Sequence, residues 1–371
     1  MTIRRREFLV KGCTLAGVAA AACLFGEGGL WAAPTGKRLL VIGGTDFVGP
    51  AVVEAGMIAG HHVTLFNRGV SNPELFPHLE HLHGFRSIDE KDQGFSALSG
   101  RTWDAAIDVW PSDPTMVGSL AEFLKHQVGH YLYVSSAAVY KSFEKPGMTE
   151  DAPVREFHGG VPNYSDGKAE SERRLTQIFG QRLTIVRPCS IDGYRNDGFN
   201  LQTWLTRVQA GGQHIGPGTG NERIQIVDPK DIGRFLMLCI QRAIFGVFNL
   251  TGESIPFQSF LEGCKTATHS DSEFVWIPEE FLQQQDPDFQ RFFPLWSSRT
   301  SPQGFFQISS DKALQTDWKR RPFQETALDV LEWYRERDAK VPAANGPVGH
   351  WSDPLSAERE AEIIRRWKLH S

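Results

Sequence analysis

Arg38-Leu39-Leu40-Val41-Ile42-Gly43-Gly44-Thr45-Asp46-Phe47-Val48-Gly49 is the stretch on which the reading of this chain turns. Its first half is a short, mostly apolar run closed by a glycine pair, which suits a strand buried on both faces of a parallel sheet. A helix should follow directly. Strand, glycine-rich loop and helix in that order form a cradle for a pyrophosphate: the glycines permit a tight turn, and the free amides of the helix start face the anion. Gly43, Thr45, Asp46, Phe47, Val48 and Gly49 are therefore the expected dinucleotide-binding residues of the loop.

Working outward, Val63 to Phe66, Ala105 to Val109, Tyr131 to Ser135 and Leu183 to Val186 read as further strands, with longer amphipathic stretches between them. This alternation predicts an α/β fold with a doubly wound parallel Rossmann sheet over residues 36–190, binding its ligands at the carboxyl ends of the strands. Beyond Ser190 the chain turns to Gly and Pro punctuation and aromatic clusters such as Phe292-Phe293-Pro294-Leu295-Trp296, which predicts a smaller substrate lobe over 191–340. Ile224 to Val227 and Gly246 to Leu250 look like strands returning to the main sheet. A helical tail over 345–371 should open at Asp353-Pro354, an N-cap followed by proline, and carry Ile363, Ile364 and Trp367 onto the body or onto a second subunit of a homo-oligomer.

The N-terminus differs from the rest. Arg4-Arg5-Arg6 precede an apolar run from Gly12 to Gly26, and Leu30-Trp31-Ala32-Ala33 offers small residues for cleavage. At about 15 residues the run is short of the roughly 20 that span a bilayer, so residues 1–33 read as a removed signal peptide rather than a stable membrane span. Arg5-Arg6-x-Phe8-Leu9-x-Lys11 looks like the twin-arginine signal, which implies export of a folded protein to the periplasm or beyond. Cys23 after Ala20-Ala21-Ala22 leaves lipid attachment as an alternative. The mature chain keeps Cys189, Cys239 and Cys264 without metal-type spacing, so no metal is expected. A formal net charge of -5 over 371 residues gives no global attraction for phosphate backbones, so the expected partner is a small molecule and not a nucleic acid.

Asn163-Tyr164-Ser165-Asp166-Gly167-Lys168 opens a helical stretch, and the four-residue spacing sets Tyr164 and Lys168 on one face. A phenol ordinarily titrates at about 10. An ammonium beside it favours the phenolate, which is what proton transfer from an alcohol during hydride removal needs. Upstream, Tyr131-Leu132-Tyr133-Val134-Ser135-Ser136 runs into Ala137-Ala138-Val139-Tyr140; downstream lies Val186-Arg187-Pro188.

In this order, glycine loop, serine, Tyr/Lys pair and Arg-Pro turn resemble the extended and atypical short-chain dehydrogenase/reductases of the NAD-dependent epimerase/dehydratase type, over roughly Arg38 to Glu336. The resemblance implies catalytic roles for Tyr164, for Lys168, which also holds the nicotinamide ribose, and for Ser136, four residues before Tyr140, as the partner of the reacting hydroxyl. It implies a place beside the nicotinamide for Pro188. At the end of the second strand, where an acid binds the ribose hydroxyls in NAD-binding relatives, this chain has Asn67 and Arg68, a pair that tolerates a 2′-phosphate. Asp46 would repel that phosphate. NAD is the expected cofactor and NADP the alternative.

Departures from the family narrow the chemistry. Ala137 and Ala138 stand where nucleotide-sugar 4,6-dehydratases carry an acidic pair, which disfavours that dehydration. The diphosphate-binding arginine of nucleotide-sugar epimerases falls at Ile224, with Arg223 one residue away. Arg223 remains a substrate-contact candidate, and Trp110 and Trp204 are candidates for an apolar wall against a sugar face. Three functions are open on these residues: transient oxidation of a hydroxyl on a carbohydrate or similar polyol with the hydride returned, net dehydrogenation or reduction, and a non-catalytic or RNA-binding role on the same scaffold.

Overall fold

A computed structural model describes residues 36–85, 94–109, 113–196, 198, 200–338 and 355–370. The proposed signal peptide, Trp110 and Asp353-Pro354 lie outside these residues. From Gly36 onward the chain forms one compact unit.

Its strands are β1 (Arg38–Ile42), β2 (His62–Asn67), β3 (Glu80–His83), β4 (Trp103–Asp108), β5 (Val128–Val134), β6 (Leu183–Pro188), β7 (Gln213–Pro217), β8 (Arg223–Ile224), β9 (Gly246–Leu250), β10 (Ile255–Pro256) and β11 (Glu273–Ile277). The helices are α1 (Val48–Ile58), α2 (Pro114–Leu124), α3 (Tyr164–Phe179), α4 (Asn200–Gln209), α5 (Pro229–Arg242), α6 (Phe257–Thr268), α7 (Glu279–Gln285), α8 (Asp311–Leu314), α9 (Phe323–Asp338) and α10 (Ala357–His370). Seven strands form the central sheet in the order β3-β2-β1-β4-β5-β6-β9, every pair parallel.

Strand β1 shows why its sequence is apolar from Leu39 to Ile42. Leu39 and Val41 face a core shared with α1 and α5, while Leu40 and Ile42 face the opposite core, shared with α2 and α3. Side chains alternate across a strand, so a strand covered on both faces is apolar at every position. The helices start where their caps allow. Asp113 accepts from the amides of Thr115 and Met116 with Pro114 at the first position of α2, and Asn163 accepts from the amide of Asp166 at the head of α3. That cap fixes Tyr164 as the first residue of α3, at the carboxyl end of the sheet.

The C-terminal part has its own core, built from α4, α6, α9 and the β7–β11 pair, with Trp204, Phe257 and Phe260 at its centre. Trp204 is fully buried and donates from Nε1 to the carbonyl of Pro294 at 2.7 Å, so it is a core residue and not a wall open to substrate. Strand β9 does return to the main sheet, beside β6. Ile224 to Val227 does not: β8 pairs antiparallel with β10, and Val227 meets Ile191 only through an isolated bridge. Because β9 completes the sheet and α5 covers β1, the core of the main sheet draws on residues from both sides of the boundary expected near residue 190. Helix α10 packs back through Ile363 and Ile364, and its buried Glu360 accepts from Arg207 at 2.5 Å and from the amide of Ile215 at 2.7 Å. Among the described residues no helix is long and apolar enough to cross a membrane.

Candidate active site

The site grows from the loop between β1 and α1. Gly43 and Gly44 have φ of 107° and 93°, in the region that favours glycine, and Phe47 takes φ 47° at the head of α1. Gly49 answers a different need. A Cβ built on it would stand 2.7 Å from the backbone of Gly44, so only glycine lets the helix start close onto the loop. The outcome is a cradle with no side chain capping α1: in its first turn the amide of Gly49 donates to the carbonyl of Asp46 at 2.9 Å, Pro50 carries no N–H, and Val48 lines the cavity.

This cradle forms one end of a cavity of about 450 Å³. Thr45, Asp46, Phe47 and Val48 line it with the 67–71 segment; Val109, Val134, Ser135 and Ile191 continue it; Tyr164 and Lys168 stand on its wall. The loop and the Tyr/Lys pair are more than a hundred residues apart in the chain and meet because both lie at the carboxyl end of the sheet, the loop after β1 and the pair beside β5, with β4 between them. Lys168 is only 3% exposed and donates from Nζ to the carbonyl of Val134 at 2.7 Å, with its ammonium 4.6 Å from the centre of the Tyr133 ring. Tyr164 is 51% exposed and free to meet a ligand.

The ribose end is braced by amides. Asn67 donates from Nδ2 to the carbonyl of Gly43 at 3.3 Å and accepts from the amide of Gly69 at 2.9 Å, tying the loop after β1 to the loop after β2. Asn72, which belongs to no motif of the sequence, donates from Nδ2 to the carbonyl of Thr45 at 2.7 Å. Asp46 and Arg68 are both exposed on the cavity rim.

Three expected residues stand differently. Ser136 is half-buried, its Oγ accepts from the amide of Ala138 at 3.1 Å, and the serine that lines the cavity is its neighbour Ser135. Pro188 is buried at the end of β6, and Ile191, beyond it, reaches the cavity. Arg223 lies outside the cavity: pairing of β8 with β10 turns its guanidinium onto Ser254, where it donates to Oγ at 3.3 Å and to the carbonyl. Cys189, Cys239 and Cys264 are buried free thiols, and burial pushes those of Cys189 and Cys239 up to about 11 and about 12.

The glycine cradle, the start of α1 and the Tyr/Lys wall fit a dinucleotide lying across the strand ends, the arrangement of a Rossmann oxidoreductase. The chain belongs to the NAD dependent epimerase/dehydratase family, whose model matches residues 39–250. It is 29% identical over 266 residues to the chloroplast stem-loop binding protein of 41 kDa b of Arabidopsis thaliana, covering 66% of this chain and 67% of that one. Among solved structures, the fold is similar to a putative epimerase from Burkholderia cenocepacia at TM-score 0.62 and 16% identity, covering 81% of this chain and 98% of that one. It is likewise similar to the Bordetella bronchiseptica enzyme WbmG in complex with NAD, at TM-score 0.61 and 16% identity over 83% and 96% of the two chains. The Thermotoga maritima UDP-glucose 4-epimerase with UDP-glucose follows at 0.58 and 16%, over 81% and 99%.

Proposed function

We propose that this chain is an exported NAD-dependent enzyme that removes a hydride from a hydroxyl of a carbohydrate or similar polyol and returns it in the same cycle. The observation that carries this reading is the meeting of the glycine cradle with Tyr164 and Lys168 on one cavity wall. Bound there, the nicotinamide supplies a hydride acceptor and donor. The glycine loop and the start of α1 at Val48 receive the pyrophosphate. Tyr164 takes the proton of the substrate hydroxyl and gives it back, with the anchored Lys168 ammonium on the same cavity wall. Ser136 is assigned to the substrate hydroxyl by motif, with Ser135 nearer the cavity.

The sugar epimerases among structures of similar fold support a carbohydrate. The tie of Arg223 to Ser254 speaks against a nucleotide diphosphate held by that arginine. Arg5-Arg6 and the apolar run after them support export, and a cofactor regenerated in each cycle suits a protein that has left the cytoplasmic pool. The test is a dialysed protein given its sugar substrate: repeated turnover without added NAD supports the reading, and Tyr164→Phe should abolish it with NAD still bound. One equivalent of NADH released per product would make the chain a net dehydrogenase instead.

The stem-loop binding relative favours a second reading, RNA recognition. Against it, basic side chains near α5 are paired with carboxylates: Lys230 with Asp329, Arg234 with Asp231, Arg242 with Asp317 and Arg321 with Asp228. A phosphate backbone needs such cations unpaired. Retention of a stem-loop RNA in a mobility-shift assay at physiological salt would favour that reading.

A further inference from the structure

Tyr164 and Lys168 belong to a longer stripe. One turn further along α3, on the same face, stands Glu172. It is 5% exposed, and it holds three elements of the site together. Arg187, at the end of β6 and equally buried, donates to it from Nε at 3.0 Å and from Nη2 at 2.6 Å. Ser135, just past β5, donates from Oγ to the same carboxylate at 2.5 Å. The preceding residue, Val134, accepts from Lys168. Helix α3 is thus fastened to two consecutive residues at the end of β5, once through Lys168 and once through Glu172, and Glu172 extends the tie to β6 through Arg187.

Stability gives little reason for ions here. Burying a carboxylate and a guanidinium costs each its hydration, and a well-packed apolar pair of similar volume is often as stable or more so. What the ionic arrangement supplies is direction: a bidentate guanidinium and a hydroxyl fix one position of the carboxylate, where apolar contacts tolerate sliding. We infer that Glu172 is a positioning residue, which sets the rotation and height of α3 against β5 and β6 and so holds Lys168 and Tyr164 at the nicotinamide end of the cavity. Its carboxylate touches neither cofactor nor substrate in this role. It acts through Ser135 and Arg187.

The inference rests on the proposed dinucleotide site, and the test separates the two. NADH and ADP are titrated into the full chain by fluorescence and by competition. ADP reports the glycine cradle alone, whereas NADH also reaches Lys168. Wild-type protein should bind both, and Glu172→Gln should weaken NADH about tenfold while ADP changes by less than about twofold. The paired substitution Glu172→Leu with Arg187→Leu removes the buried charges together, so it should keep the wild-type melting temperature and still show the NADH defect. Wild-type NADH affinity in either folded variant would overturn the positioning role, and so would equal weakening of NADH and ADP, which marks a general loss of structure. Wild-type protein that binds neither ligand would overturn the dinucleotide reading itself, and the inference with it.

Discussion

The ammonium of Lys168 donates to the carbonyl oxygen of Val134 at 2.7 Å, so the cation of the Tyr164/Lys168 pair is anchored on the end of β5 before any ligand arrives. This anchor gives Lys168→Ala two costs. The Val134 carbonyl loses its partner in a buried setting, worth about 1–3 kcal/mol, and the cavity wall loses the cation that meets the nicotinamide ribose. The variant should melt lower and bind NADH at least about tenfold more weakly, with turnover reduced as well. A defect in turnover alone, with NADH affinity unchanged, would remove the ribose-binding role.

Gly49→Ala tests the cradle. The added methyl would stand 2.7 Å from the Gly44 backbone, which has no flexible side-chain end to yield. Overpacking of this kind costs about 1–3 kcal/mol, and here it would open the loop that receives the pyrophosphate. Calorimetry should show both a lower melting temperature and loss of ADP and NADH binding. Unchanged ADP affinity would mean that α1 does not need to close onto the loop.

Cofactor choice is set on the rim, where Asp46 and Arg68 both line the cavity. The carboxylate of Asp46 repels a 2′-phosphate, so NAD should bind more tightly than NADP, and Asp46→Arg should move the preference toward NADP. Competition binding of the two dinucleotides reads this directly. Equal affinities in both proteins would remove Asp46 from the account.

His130 makes stability depend on pH. Burial, with Lys37 adding to it, pushes its pKa down to about 4, while its Nε2 bonds Thr184 Oγ1 at 2.7 Å. An unfolded imidazole titrates near 6.5, so this contribution is fully present above that pH and is lost as the pH falls toward 4. Between pH 7.5 and 4.5 the loss is roughly 2 kcal/mol. Buried Asp192, pushed up to about 6 by desolvation, acts in the opposite sense, its contribution fading as the pH rises through 6. Urea unfolding of wild type against His130→Gln therefore isolates the histidine: the variant should lose less stability on acidification. Parallel pH curves would refute the assignment.

The sequence carried the site's main parts because each has a local signature. A strand buried on both faces is apolar, as in β1 from Leu39 to Ile42, and the glycine loop and Tyr164-to-Lys168 spacing are short motifs. Strand β3 has no such signature: Glu80-His81-Leu82-His83 buries only Leu82 and closes the sheet at its edge. The β7–β11 pair joins segments about sixty residues apart, which no local pattern announces. The direction of Arg223 depends on pairing with β10, which its own neighbours in the chain do not announce. Glu172 was hidden inside Glu170-Ser171-Glu172-Arg173-Arg174, which reads as a solvated helix face, although Glu170, Ser171 and Glu172 are buried. The four-residue stripe Tyr164, Lys168, Glu172 was the available sign.

The cavity between the glycine cradle and Lys168 is expected to hold NAD and to keep it through the catalytic cycle. Mass spectrometry of the purified, dialysed protein after denaturation tests it most directly. Release of NAD in near-equimolar amount to the chain is the expected result. Protein that releases no dinucleotide, and then takes up neither NAD nor NADH when either is added, would contradict it.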